Sequence, residues 1–230
     1  MKKPSCIITD IEGTTTPKTF VYDVLFPYFI ENLNKLASCS SHASYKTAIK
    51  EINETLKEEN DTNLSEVKLE NVLKSWVEED RKHPGLKLLQ GLIWEQGYQN
   101  GTLKGVVYND VPEMLQQWNE QAIPMAVYSS GSVKAQQLLF RHTNFGDLTK
   151  HFNHYFDTGV GHKKEATSYL KISQELCLES KNILFLSDIG EELDAAKEIG
   201  MKTIQVIRDE TTLPFHQHLQ VETFKDIKWA

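Results

Sequence analysis

The sequence predicts an α/β fold, a parallel-sheet core with an all-helical block inserted after its first strand. Three observations lead there. Residues 5–9 form a short apolar run rich in Ile, long enough for a buried strand. Between about residues 20 and 103 no β-rich run occurs and helical spacing prevails. Beyond Gly105 short apolar runs alternate with amphipathic helical stretches, the pattern of a parallel sheet covered by helices on both faces. The core is expected over 1–18 and 104–230, and the helical insertion over 19–103.

The elements follow in order. After the strand at 5–9, the segment Ile11 to Lys18 is rich in Gly, Thr and Pro. Val21, Val24, Leu25, Tyr28, Phe29, Leu33 and Leu36 then keep helical spacing, and Pro27 either kinks that helix or marks its true start. Helical stretches follow near 44–58, 65–80 and 85–99, with Trp76, Leu88, Leu89, Leu92 and Trp94 as anchors and His83-Pro84-Gly85 as a break. A helix over 111–121 opens with Pro112 in its first turn. Strands are expected at 123–128, near Tyr155–Phe156, at 182–186 and at 202–207. Helices are expected at 132–143, at 165–178 and at 191–199, the last closed by Gly200. Within 165–178, Ala166, Tyr169, Leu170, Ile172, Ser173 and Leu176 share one side. After Asp209 a strand and a short helix complete the chain.

Composition narrows the function classes. The chain has 230 residues, 25 Lys+Arg against 32 Asp+Glu, a formal charge of −7 and 40% hydrophobic residues. That is ordinary for a folded domain and too acidic for a surface that tracks nucleic-acid phosphates. No apolar stretch is long enough to span a bilayer, and the apolar run near the N-terminus is too short for a signal peptide. Cys6, Cys39 and Cys177 are odd in number and far apart, which argues against a disulfide framework or a zinc knuckle. These features predict a reduced, cytoplasmic chain without membrane or nucleic-acid partners, monomeric by default. The eight histidines show no metal spacing, and His216 and His218 are expected to face solvent.

In open α/β sheets ligands bind beyond the carboxyl ends of the strands. Asp10-Ile11-Glu12-Gly13-Thr14 follows the first strand, Ser129-Ser130-Gly131 the second, and Ser187-Asp188 with Glu191 and Glu192 a later one. His162-Lys163-Lys164 precedes the helix at 165–178. Each has a plain structural role open to it. Asp10 can cap a turn. If the backbone stays extended through Ile11, however, Asp10 and Glu12 share one side, and a nucleophile and a proton-transfer group stand together. Ser129 and Ser130 can cap a helix, and hydroxyls beside free N–H groups also cradle a phosphate. A lysine before a helix opposes the dipole, which suggests an anion to neutralise, and spacing does not choose between Lys163 and Lys164. Asp188 joined to Asp10 supplies two hard oxygen ligands of the kind Mg²⁺ takes. Glu191 and Glu192 either complement the helix dipole or hold the lysine or a metal-bound water.

Together these residues resemble the haloacid-dehalogenase-like phosphatases. The longer strings D-I-E-G-T-T-T-P, F-V-Y-D-V-L-F-P-Y, L-Q-G-L-I-W, V-Y-S-S-G-S-V-K-A-Q-Q-L-L-F, F-D-T-G-V-G-H-K and I-L-F-L-S-D-I are similar to the acireductone synthase family, the bifunctional enolase-phosphatases of methionine salvage. The resemblance covers residues 7 to about 207. It implies a Rossmann-like core with a mobile helical cap that closes over the site, and Mg²⁺-dependent aspartyl-phosphate chemistry, one ion per chain. By it Asp10 is the nucleophile and a metal ligand, and Glu12 transfers protons and joins the metal site through its backbone carbonyl. Ser129 and Ser130 bind the substrate phosphate, Lys163 is the site lysine, and Asp188 is the remaining metal ligand. The implied substrate is 2,3-diketo-5-methylthiopentyl 1-phosphate. Family members often have Thr where Ser187 stands, a change that removes no required group. Phe20, Trp94 and Tyr98 are candidates for the methylthio end, with core packing as their plainer role. A phosphatase for another small phosphate ester is the nearest alternative, and a non-catalytic module on the same fold the more distant one.

Overall fold

The computed structural model describes residues 2–59, 66–210, 212–215 and 217–229. The backbone forms two compact units, 1–18 with 104–230, and 19–103.

The chain opens with β1 (Cys6–Thr9) and then enters the helical unit. Phe20–Leu25 winds as a π-type turn that runs into α1 (Phe26–Glu31), with Pro27 in the first turn of α1. Proline has no N–H to donate and its ring crowds the carbonyl one turn back, so α geometry starts at Phe26, with Pro27 in its first turn, and the wider turn precedes it. A 3₁₀ stretch at Leu33–Cys39 leads to α2 (Ala43–Glu58), α3 (Glu66–Glu78) and α4 (Pro84–Gln99). The expected start of the third helix at residue 65 lies outside the described residues. Phe29, Leu33, Ile52, Leu73, Trp76, Leu89 and Leu92 belong to one apolar cluster, with Leu88 packed partly buried against it. Residue 85 must be small, because a Cβ on Gly85 would lie 2.8 Å from the Ala48 carbonyl where α2 meets α4. Phe20, Trp94 and Tyr98 are buried, and the Trp94 indole donates to the Leu25 carbonyl at 2.9 Å.

The sheet unit continues with α5 (Val111–Glu120), β2 (Met125–Tyr128), α6 (Val133–Arg141), β3 (His154–Phe156) and α7 (Ala166–Glu175). It ends with β4 (Ile183–Ser187), α8 (Gly190–Glu198), β5 (Lys202–Val206) and β6 (Leu219–Val221). All six strands are parallel in the order β3-β2-β1-β4-β5-β6. Chain order reverses direction at β1 and β4, so the crevice beyond their carboxyl ends is the topological switch point. Cys6, Ile8, Ala126, Tyr128, Ile183 and Phe185 pack on one face with Tyr169, Ile172, Leu193 and Ala196 of α7 and α8. The alternate residues Ile7, Val127, Leu184 and Leu186 are buried too, as strands covered on both faces require.

Two expectations are corrected. Leu170 is 44% exposed, because α7 turns Ser168, Tyr169, Ile172 and Ser173 inward and residue 170 falls about 100° off that stripe. His218 does not face solvent. It is buried, with Nδ1 2.8 Å from the Thr203 hydroxyl and Nε2 3.0 Å from Asp194, tying β5 to α8. His216 lies outside the described residues. Among the described residues no helix is long and apolar enough to cross a membrane, and Cys6, Cys39 and Cys177 are free.

Candidate active site

The residues singled out at strand ends meet at the rim of β1 and β4. Asp10 extends the β1 ladder by one bond, its N–H donating to the Leu186 carbonyl at 2.9 Å. The chain then leaves the sheet in a tight turn. The Ile11 carbonyl accepts from the N–H groups of Thr14, Thr15 and Thr16, and the Gly13 N–H donates to the Thr16 carbonyl at 2.7 Å. Gly13 has φ +77°, and a Cβ there would lie 2.6 Å from Asp188 Oδ2, so both conformation and space demand glycine. Glu12 is half-buried, and its backbone bridges to Thr16.

Lys163 is the electrostatic hub. Its Nζ donates to Asp10 Oδ1 at 2.6 Å and lies 2.7 Å from Glu192 Oε2, and all three side chains are buried or nearly so. Burial alone would push the lysine's pKa down, but the charges of Asp10 and Glu192 outweigh it and hold the value above the ordinary one. The backbone around it is pinned by the Tyr169 hydroxyl, which donates to the Lys163 carbonyl at 2.7 Å. Glu192 also accepts from the Ser187 hydroxyl at 2.9 Å. Its pKa is pushed up to about 7 by burial first, with Lys163 pulling the other way. The neighbours that spacing left level with these are different in kind. Lys164 and Glu191 are exposed and face each other at 3.5 Å. One position along a helix is a rotation of about 100°, enough to take Glu192 inward and Glu191 out.

Asp188, just past β4, is buried. Its Oδ1 has no hydrogen-bond partner, and its Oδ2 is in ion-pair contact with Lys18 Nζ at 2.5 Å. Burial, and then the charge of Asp10, push its pKa up to about 6, with Lys18 opposing. Three buried carboxylates, Asp10, Asp188 and Glu192, thus share Lys163 and the one-third-exposed Lys18. Among the described residues no group of three or more His, Cys, Asp or Glu side chains converges as a ready-made metal cage. Two buried carboxylates suit a hard cation that takes oxygen ligands and keeps waters, as Mg²⁺ does.

Ser129 and Ser130 stand at the end of β2. Ser129 is buried, its N–H donates to the Phe156 carbonyl at 3.2 Å and its hydroxyl accepts from the Gly131 N–H at 3.3 Å. Ser130 is half-buried, and the cap of α6 is Ser132, whose hydroxyl accepts from the Ala135 N–H. The loop is held from below by Gln136, whose amide donates to both the Gly131 and Phe156 carbonyls at 2.8 Å.

Three contributors were not picked out from the sequence. Lys18 was seen only as the end of a Gly/Thr/Pro segment. Gln136 has no sequence signal of its own. Arg208, two residues past β5, was within reach of the strand-end reasoning, which was applied only to the strands before Asp10, Ser129 and Asp188. It donates to the Thr14 carbonyl at 3.0 Å and to both carboxylate oxygens of Asp110 at 2.9 and 3.0 Å, and stacks over Tyr108. It therefore braces the turn that carries Asp10.

Known proteins share this architecture. The family profile described as haloacid dehalogenase-like hydrolase matches residues 4–200. Proteins called enolase-phosphatase E1 from Marinobacter nauticus and from Sulfurihydrogenibium sp. are 45% and 46% identical to this chain. Each comparison covers 96% of this chain, and 95% and 96% of those relatives. Among solved structures, the UTR4 protein of Saccharomyces cerevisiae is 31% identical with a TM-score of 0.78, covering 98% of this chain and 100% of that one. CbbY from Rhodobacter sphaeroides, solved in complex with phosphate, is 14% identical with a TM-score of 0.61 over 96% and 95% of the two chains, a likeness of fold alone.

Proposed function

The chain belongs to the haloacid dehalogenase-like hydrolases and, within them, to the enolase-phosphatase E1 family, and from that premise we propose that it converts 2,3-diketo-5-methylthiopentyl 1-phosphate to acireductone and phosphate in methionine salvage. The observation that carries this reading is the buried contact of Lys163 with Asp10 at 2.6 Å, with Asp188 across the β1–β4 crevice. The sheet unit is assigned the chemistry and the helical unit, 19–103, the part of a cap.

Asp10 is the nucleophile. One of its carboxylate oxygens forms a bond to phosphorus while the bond from phosphorus to the substrate oxygen breaks. Glu12 gives its proton to that leaving oxygen. It then takes a proton from the water that attacks phosphorus, which breaks the aspartyl-phosphate and restores Asp10. Lys163 offsets charge on the phosphoryl oxygens. Glu192, 2.7 Å from the same ammonium, helps to hold Lys163 in place. Ser129 and Ser130 bind the phosphate at the end of β2.

The residues present fit a divalent cation. Asp188 keeps a buried oxygen with no hydrogen-bond partner, and Asp10 stands across the crevice. Asp10, Asp188 and the Glu12 carbonyl would hold Mg²⁺. When bound, the ion supplies Lewis acidity toward the diketone and neutralises charge at phosphorus.

The test is an assay on the diketo phosphate with Mg²⁺ that follows enol absorbance and free phosphate together. An absorbing enol that appears before or with phosphate is the expected result. Phosphate released only from unrelated esters, with the diketone untouched, would overturn the substrate assignment and leave the phosphatase chemistry standing.

A further inference from the structure

Asp188 has an uneven environment. Its side chain is fully buried, yet Oδ1 has no hydrogen-bond partner and the cation on Oδ2 comes from Lys18, one-third exposed, at 2.5 Å. Lys18 stands eight positions past Asp10, just beyond the Gly13 turn. It reaches the carboxylate across Gly13, where a Cβ would lie 2.6 Å from Lys18 Cε and 2.6 Å from Asp188 Oδ2. The turn is therefore shaped to let this particular lysine meet this carboxylate. Lys163, by contrast, is committed to Asp10 and Glu192 and is 6% exposed.

We propose that Lys18 is the internal counterion of Asp188 and competes with the divalent cation for that carboxylate, so that metal loading displaces its ammonium. The inference rests on the assignment of Asp188 to the metal made above. An ammonium and a dication drawn to one buried carboxylate repel each other strongly, since little water screens them there. Lys18 is the group that can yield, because its exposure gives the released ammonium water to enter. The pair then stabilises the metal-free protein and lowers its affinity for metal, two effects of one contact with opposite signs in a substitution.

The experiment is calorimetric titration of MgCl₂ alone into metal-free wild type, K18M, K18R and D188N, with melting temperatures in EDTA and in Mg²⁺. K18M is expected to bind Mg²⁺ about tenfold more tightly, a typical coupling between two ligands of one site. Its melting temperature in EDTA should fall while its gain on adding Mg²⁺ grows, and K18R should follow the wild type. A merely structural lysine would give weaker, not tighter, metal binding when removed. Equal or weaker Mg²⁺ binding by K18M overturns the competition. Absence of Mg²⁺ binding by the wild type, or binding undiminished in D188N, overturns the metal assignment beneath it, so the two failures are distinct. Should K18M not fold, the wild type still decides. After reductive ¹³C-methylation, the Lys18 resonance, identified by its absence from K18R, should move on addition of Mg²⁺, and an unmoved resonance overturns the proposal.

Discussion

The interior of the helical unit and the rim of the sheet are both buried, and they are built on opposite terms. In the helical unit Phe29, Ile52, Leu73 and Leu89 are completely covered, within one apolar cluster. Burial there is favourable at roughly 25 cal/mol per Å² of apolar surface, and each contact adds to stability. At the rim Asp10 and Glu192 are buried around Lys163, and Asp188 is buried against Lys18. Taking such groups out of water costs several kcal/mol per ion and is recovered only through close pairing. The difference separates what keeps the chain folded from what is kept for chemistry. A cluster of this charge is tolerated because the strands beneath it, β1 and β4, are buried and apolar up to Thr9 and Ser187 at their ends and fix its geometry.

Substitutions can break or sharpen that contrast. The largest effect is expected from Asp10→Asn, which keeps the shape and removes the carboxylate proposed as nucleophile. Phosphate release should fall by about four orders of magnitude or more while the protein stays folded, read by single-turnover phosphate assay with circular dichroism. Retained turnover would sink the mechanism. Lys163→Met should cost both properties at once. It leaves Asp10 and Glu192 as buried carboxylates without their cation, a loss of about 3–5 kcal/mol in denaturant titration, with activity reduced at least as much as that free energy implies.

Leu89→Ala in the helical unit should lower stability by about 2–5 kcal/mol through the cavity it leaves. At a temperature where the variant remains folded, the Asp10-dependent step should be unchanged. A drop in single-turnover rate there would mean that the two regions are not energetically separate.

Glu192→Gln offers the smallest and most selective change. The pKa of Glu192 is pushed up to about 7 by its burial, above its ordinary value of 4.5. A carboxyl with a raised folded-state pKa contributes stability that is present below the ordinary value and is lost as pH rises through the raised one. Wild type should therefore lose stability relative to Glu192→Gln between about pH 4.5 and pH 7, in metal-free buffer. Melting-temperature differences that stay flat across that window would show that Glu192 is ionised throughout.

Much of the fold was legible because its signals are local. The apolar run at β1, the alternation after Gly105 and the glycine that ends α8 are properties of a few consecutive residues. Asp10, Ser129 and Asp188 stood out for a related reason, since each follows a strand and strand ends line the crevice of such sheets. Lys18 was missed because neither residue type nor spacing says which distant carboxylate a long side chain will reach, and Arg208 because the strand-end reasoning stopped short of β5. Leu170 and His218 were misjudged because burial depends on what another element places opposite them. Thr203 and Asp194 close around His218 from β5 and α8, some fifteen and twenty-four positions away.

The sequence by itself determined the parallel α/β class, the helical insertion after the first strand, and the set of strand-end groups from which the site is made, since these follow from periodicity and from the turn chemistry of adjacent residues. The tertiary structure alone decided that Glu192 turns inward while Glu191 turns out, that Lys18 sits on Asp188, and that Arg208 braces the turn behind Asp10. Those choices are made by packing and by the pairing of charges brought together from distant parts of the chain, and no pattern of neighbouring residues encodes them.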